Sequence, residues 1–308
     1  MLDFQTAAAM PRQPACSGAP RALQQTPEFT RALCACGQRP LVLARLQDTV
    51  VLRRRLPCGL SAAMVARARL EKPSQLLEML REEGLRRTPV ILSPEAPAPE
   101  LARLGAVPLM SPAHAALLAL DPDPERRRAA LHQKWRNRLK RGESHGLRLT
   151  RQNLPLDPGH WLFAADSAQQ AARRYRSWPI ALTLAYAREN KGQAKLFQAH
   201  AGGEAVAAVL ILTHGSSATY HLAQATDRGK ALCAPNLLLW EAMSWLAARG
   251  CRQLDLGVIN TEDAPGLARF KLGTGARAHR LGGTWAFWPP VGRLLRPLAR
   301  LDRGLMSA

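Results

Sequence analysis

The residues with the clearest chemical potential lie in the last third of the chain. Arg228, Gly229 and Lys230 form a polar loop, and Ala234-Pro235-Asn236 soon opens an apolar stretch that runs to Arg249 and stops at Gly250. That pattern predicts a helix from Pro235 to Arg249. A helix N-terminus offers backbone N–H groups without partners and a partial positive charge, which suits phosphate. No Ser, Thr or Asp occupies the presumed cap, so the donors are left for a ligand or for water, and Arg228 and Lys230 add charge beside them. Two groups could take a proton, His221 and Asp255, each on a predicted strand. An unperturbed histidine titrates near neutrality. Side chains alternate along a strand, so one of Tyr220 and His221 faces a cleft and the other does not. His221 also reads as a plain core or surface histidine.

These residues need elements to hold them. Ala194–His200, Glu204–Thr213 and Ser217–Ala223 read as three antiparallel strands joined at Gly202-Gly203 and Gly215-Ser216. The Pro235 helix follows, then a strand at Gln253–Gly257, a loop and short helix at Asp263–Leu272, and a last strand at His279–Phe287. Two helices, Asp166–Trp178 and Ile180–Arg188, precede the strands. The first part of the chain predicts strands at Pro40–Leu46, Thr49–Leu56, Pro89–Leu92 and His114–Leu120, with a helix at Lys72–Glu83 and a short one closing at Gly105. No catalytic signature appears there. Between the halves, Asp121 and Pro122 are a fitting cap and first residue for a long helix to about Arg141, ended by Gly142. Leu131, Trp135 and Leu139 make its apolar stripe, and Lys134, Arg136 and Arg138 stand among many cations on its other faces. That basic face is either solvated or a contact for phosphates or an anionic surface.

Composition narrows the partners. The chain has 308 residues, enough for about two domains, and 47% are apolar, enough for a sizeable core. A net charge of +20 attracts polyanions such as nucleic acid, an anionic membrane face or a phosphate-bearing cofactor, although Arg-rich composition alone accounts for part of it. Six cysteines, with Cys34 and Cys36 as CxC, show no zinc-finger spacing, so no metal is expected, and their scatter suits a reduced, cytoplasmic setting. The first 20 residues read as a tail with no signal-peptide pattern. No apolar stretch approaches the ~18 residues that span a bilayer. The basic, Trp-containing C-terminus reads either as a short packed helix or as an amphipathic segment for the inner membrane face.

The order helix, helix, three antiparallel strands, helix, strand, helix, strand is that of a GNAT acyltransferase module. Leu239-Trp240-Glu241-Ala242-Met243, then Arg249-Gly250-Cys251 and Leu254-Asp255-Leu256-Gly257, then Gly266-Leu267-Ala268-Arg269-Phe270-Lys271 before Gly273 and Gly275, resemble the C-terminal signature of FemAB-type transferases and FemAB-like acetyltransferases. Lys134-Trp135-Arg136-Asn137-Arg138 resembles the basic helix these families place before their second module, and Leu23-Gln24-Gln25-Thr26-Pro27 resembles their opening. The resemblance implies an α+β fold of tandem GNAT-like modules, the first degenerate, each a mostly antiparallel sheet flanked by helices. The expected boundaries are a tail at 1–20, the first module at 21–121, a basic helix at 122–146, the acyltransferase module at 147–290 and a basic tail at 291–308. It implies acyl transfer from acyl-CoA to an amine acceptor. The alternatives are aminoacyl-tRNA-dependent transfer to a peptidoglycan peptide and non-catalytic binding of a polyanion or membrane. It carries Lys271 over as the lysine that supports the transition state. Arg228, Gly229, Lys230, Pro235, Asn236 and Asn260 become donor-binding candidates. Where other GNAT enzymes place a tyrosine acid, this chain has Phe270, which has no proton to give.

Overall fold

A computed structural model describes residues 18–55, 59 and 61–288. Cys16, Cys58, most of the N-terminal tail and the basic C-terminal segment lie outside the described residues. The chain forms two compact units: Ala116–Arg277, and Ala22–Ala115 together with 278–288.

The smaller unit starts with α1 (Pro27–Ala35), where Thr26 caps the helix through the Phe29 N–H and Pro27 takes the first turn. Strands β1 (Leu41–Leu43) and β2 (Thr49–Arg55) follow, antiparallel. Gln47 and Asp48 both take positive φ in the predicted turn between them. β3 (Ser61–Ala66) completes a meander that the sequence pattern does not reveal. Then come α2 (Pro73–Leu80), β4 (Val90–Ser93) parallel to β3, α3 (Glu100–Arg103) and β5 (Val107–Met110).

The larger unit comprises β6 (His114–Ala119), α4 (Pro124–Ala130), α5 (Gln133–Ser144), β7 (Arg148–Asn153), α6 (Trp161–Arg173) and α7 (Ile180–Glu189). It continues with β8 (Ala194–Ala201), β9 (Glu204–His214), β10 (Ser217–Ala225), α8 (Asp227–Ala231), α9 (Ala234–Ala248), β11 (Gln253–Ile259) and α10 (Pro265–Leu272). β12 (Arg277–Arg280) carries the chain out, and β13 (Thr284–Phe287) follows. The sheet runs β6-β11-β10-β9-β8-β7. α9 carries almost no polar face: Leu237, Leu238, Leu239, Met243 and Leu246 are all buried, each side chain worth about 1.5–3 kcal/mol in removed apolar surface. Both units thus repeat one order: three antiparallel strands, a helix, a strand parallel to the third, a second helix. The fold is mixed α+β, with two mostly antiparallel sheets flanked by helices.

The expected strand Pro40–Leu46 is β1 followed by a 3-10 turn at Ala44–Leu46. The expected helix Asp166–Trp178 runs from Trp161 to Arg173. Three further differences bear on the larger unit and its exit. The predicted long basic helix is two. Asp121-Pro122-Asp123-Pro124 offers the same cap twice, and Asp123, not Asp121, takes the role, receiving the Glu125 N–H. The helix then breaks at Leu131 and His132, which are extended, because the His132 N–H bonds the Gly273 carbonyl instead of continuing the ladder. The predicted last strand, His279–Phe287, is likewise two, and β13 inserts between β4 and β5 in the smaller unit's sheet. The polar loop around Arg228 is the short helix α8, capped by the Thr226 hydroxyl, which accepts the Gly229 N–H.

Candidate active site

The site begins where two strands part. β10 and β11 are parallel and pair over three positions, from Ser217↔Gln253 to Thr219↔Asp255. Beyond them β10 continues to Ala225, bonded to β9, and β11 continues to Ile259 beside β6, with no register between the two arms. The two strands therefore part, with Tyr220–Ala225 on one arm and Leu256–Ile259 on the other.

His221 stands at the start of the first arm. The register skips between Tyr220 and Leu222, so His221 is the extra residue of a β-bulge. The alternation that would let only one of Tyr220 and His221 serve the cleft is therefore interrupted. Tyr220 packs against the hydrophobic core. The His221 Nε2 is hydrogen-bonded to the Thr183 hydroxyl at 2.9 Å, and its ring lies 4.8 Å from that of Trp178. Burial pushes the His221 pKa down from 6.5 to about 4. The ring is therefore neutral near pH 7 and too weak a base to strip an ammonium ion.

Lys271 serves the second arm. It lies on α10, is 7% exposed, and its Nζ donates to the Val258 carbonyl at 2.8 Å. Burial lowers its pKa from 10.5 to about 8, while the charge of Asp255 works in the opposite direction. Asp255, buried at the fork, accepts the Gly257 N–H at 2.7 Å. That bond bends the strand, and Gly257 takes φ +80° there, with a Cβ position 3.5 Å from the Lys271 amine. Helix α10 is clamped from α5. The Trp135 indole N–H donates to the Phe270 carbonyl at 3.1 Å, and its ring occupies the space a Cβ on Gly273 would need, 2.7 Å away.

The donor-binding candidates gather beyond the end of β10. Gly229 packs so closely on β9 that a Cβ there would sit 2.1 Å from the Val206 carbonyl oxygen. Arg228 and Lys230 are exposed and paired, Arg228 with Glu204 at 3.8 Å and Lys230 with Asp227 at 2.8 Å. The first turn of α9 is largely enclosed: Ala234 and Asn236 are buried, and the N–H groups of Asn236 and Leu237 bond the Cys233 carbonyl. No side chain caps this helix, and the Asn236 Nδ2 is buried without a hydrogen-bond partner. Asn260 organises the loop into α10, its Oδ1 accepting from Glu262 and Asp263 N–H and its Nδ2 donating to Asp263.

The structure brings Lys271 and Asp255 together and sets His221 on the opposite arm. Lys134 and Arg138 lie exposed on α5, whereas the Arg136 guanidinium bonds the Ala129 carbonyl and Gln133. Sequence reasoning missed Thr183, Trp178 and the clamp made by Trp135. Trp135 was visible as part of an apolar stripe and of the basic-helix run but not as a clamp on α10, and Thr183 carries no local signal because its role exists through packing. Among the described residues no cluster of His, Cys, Asp or Glu could hold a metal, and no helix is long and apolar enough to cross a membrane.

The model for the acetyltransferase (GNAT) domain matches residues 126–277. No curated protein matches by sequence. The fold is similar to the crystal structure of FemX, with TM-score 0.71 and 11% identity over 89% of this chain and 94% of that one. It is also similar to the C-terminal domain of a candidate lysylphosphatidylglycerol synthetase from Agrobacterium fabrum, with TM-score 0.56 and 13% identity over 91% and 92%. L-PGS from Bacillus licheniformis is similar at TM-score 0.51 and 12% identity over 92% and 97%. Residues 126–277 carry an acetyltransferase (GNAT) domain, and the fold of the chain is similar to that of FemX.

Proposed function

We propose that this protein moves an acyl group from acyl-CoA to an amine, with the reaction in the opening between β10 and β11. The observation that carries this reading is the parting of the two strands beside a buried lysine whose pKa is held near 8. Buried, strongly shifted groups beside a cleft are what acyl transfer needs. In the step, the amine nitrogen bonds to the thioester carbonyl carbon and the carbonyl oxygen becomes an anion. That anion then collapses, the C–S bond breaks, the thiolate takes up a proton and the new amide nitrogen gives one up. The Lys271 ammonium would stabilise the oxyanion, and a pKa near 8 lets it pass a proton to the departing sulfur. Asp255 favours the charged form of Lys271 and would take the amine's proton through water. His221, neutral and bonded to Thr183, would shape the acceptor side without acting as the base. Arg228 and Lys230 would hold the donor's phosphates, exchanging their exposed carboxylate partners for them. Such exposed pairs are weak because solvent screens them, so the exchange is cheap. The first turn of α9, in contrast, is enclosed, and its Asn236 and Leu237 N–H groups are already bonded to the Cys233 carbonyl.

A second reading, an aminoacyl group delivered by tRNA, is favoured by the +20 charge, since each phosphate contact rewards a cation. Thiol release measured over a panel of acyl-CoAs and amines separates the two. Turnover with a CoA donor that falls about 10²–10³-fold in Lys271→Ala supports the first reading, the size expected when an oxyanion donor is removed. If Lys271 acts as a cation, turnover declines as pH rises through about 8, where the amine loses its proton. A rise over the same range would reassign it as a base. Turnover from charged tRNA, with every CoA donor inert, supports the second reading. Salt-sensitive RNA or vesicle binding without any transfer would leave only a polyanion- or membrane-binding role.

A further inference from the structure

The connection from α6 to α7 gathers cations beside the first arm of the fork. Arg173, Arg174 and Arg176 are exposed, with the exposed ring of Tyr175 among them. No carboxylate follows Asp166 in the chain until Glu189. Among the described residues, no ion pair engages any of the three guanidinium groups. Asp166 is buried and already occupied: its Oδ2 accepts from the Gln170 Nε2 at 2.6 Å and from the Ser177 hydroxyl at 3.1 Å.

The connection is also held in place. The Gln170 Oε1 accepts the Ser177 N–H at 2.9 Å, the Gln170 carbonyl accepts the Tyr175 N–H, and the Gln169 Nε2 donates to the Tyr175 phenol oxygen at 3.1 Å. Arg174 takes φ +55° at the end of α6, where glycine ordinarily closes a helix. A cation thus occupies a conformation that L-residues rarely adopt, and such strain clusters at ligand clamps. Arg176 lies two residues before Trp178, so their Cα atoms are within about 7 Å. The Trp178 ring lies 4.8 Å from that of His221, which Thr183 of α7 also bonds. The cations therefore border the arm that carries His221.

We propose that the acceptor amine carries an anionic group of its own, a carboxylate or a phosphate, bound by Arg174 and Arg176. The amine comes from the acyl-transfer reading above, on which this inference rests; its charge comes from the connection. A guanidinium meets either group with a planar fork of two parallel hydrogen bonds. Arg228 and Lys230 must release carboxylates before they bind an anion, whereas Arg174 and Arg176 have none to release. An anionic tail held there would restrict where the amine nitrogen can lie, and such remote anchoring orients the reacting atom.

The test uses the full chain labelled with 15N-tryptophan, whose seven indoles give few resonances, and Trp178→Phe assigns the one beside His221. The probes are γ-aminobutyrate, 3-aminopropyl phosphate and butylamine, with thiol release from acetyl-CoA as a parallel arm. The Trp178 resonance is expected to report at least one anionic amine binding about tenfold or more tightly than butylamine, and the better of the two names the group. Arg174→Gly with Arg176→Gln is expected to abolish that preference. Glycine keeps the left-handed turn, and thermal melting checks that the fold is retained. In the thiol-release arm the same chain should lose about tenfold in kcat/KM for the anionic amine relative to butylamine, through KM. Butylamine bound as tightly as both anionic amines overturns the proposal, and so does a preference that survives the two substitutions. A single-stranded RNA that shifts Trp178 where no amine does overturns it in favour of a polyanion contact. A binding preference without thiol release from any CoA donor supports the anion contact and counts against the acyl-CoA reading alone. Thiol release without a preference does the reverse.

Discussion

The two units contain the same parallel strand pair, and only one of them opens. In the smaller unit β3 and β4 pair at four positions, from Ala63↔Val90 to Ala66↔Ser93. The chain then stays fastened beyond the strands. The Arg67 N–H bonds the Ser93 carbonyl, the Glu95 N–H bonds the Ala68 carbonyl, and the Arg67 guanidinium grips both carboxylate oxygens of Glu95. In the larger unit β10 and β11 part after three positions, and a bulge and a positive-φ glycine turn the arms outward. The closed fork keeps its charge as a paired, buried salt bridge. The open fork carries a lysine whose pKa is lowered by burial against the opposing charge of Asp255, and a histidine that burial keeps neutral. The same topology therefore serves as a stable sheet or as a reaction cleft. What decides is how the strand ends are satisfied.

The comparison breaks most sharply at Glu95. Glu95→Ala removes the fastening and leaves Arg67 buried without its carboxylate, so a loss of about 3–5 kcal/mol is expected in chemical denaturation of the full chain. A loss below 1 kcal/mol would mean that the fork is closed by its backbone bonds alone.

Acid tests the larger unit. His214 and His221 have pKa values pushed down to about 3 and about 4 by burial, so the unfolded chain binds their protons first. The stability that comes from keeping them neutral is complete above pH 6.5 and is lost as pH falls from 6.5 towards 4. The slope is up to about 1.4 kcal/mol per pH unit for each ring. Denaturant midpoints at pH 7 and pH 5 measure it, and a slope unchanged in His221→Gln would show that this ring is not the one responsible.

Thr183→Val sharpens the view of the first arm. It removes the hydroxyl partner of the buried His221 Nε2 and should cost about 1–3 kcal/mol. The ring's titration, followed by NMR, should move with it. Gly257→Ala is the mildest change. The added methyl would meet the Lys271 amine at ordinary contact distance, so the cost is that of φ +80° for an L-residue, about 1–2 kcal/mol. Turnover should fall by more than this stability loss suggests if the bend aims Lys271.

Local physics makes part of this molecule legible from its residues. Gln47 and Asp48 close a longer connection that begins with a 3-10 turn at Ala44–Leu46, whereas Gly202-Gly203 makes a tight turn because glycine takes positive φ at no steric cost, and that turn was readable. So was α9, from Pro235 at its start and Gly250 after its end. The element order of the larger unit, and with it the family resemblance, follows from such signals together with the Phe270-Lys271 run. The site was legible as a set of names. Which of those groups meet, and in which protonation state, was not.

The sequence by itself determined the glycine turns and the periodicity of the strands and of α9, because those depend on residues a few positions apart. Tertiary structure decided that β13 joins the smaller unit's sheet, that β10 and β11 part, that His221 falls on a bulge and that Lys271 loses its water. Each of those depends on groups distant in the chain, and a pKa depends on solvent that only packing removes.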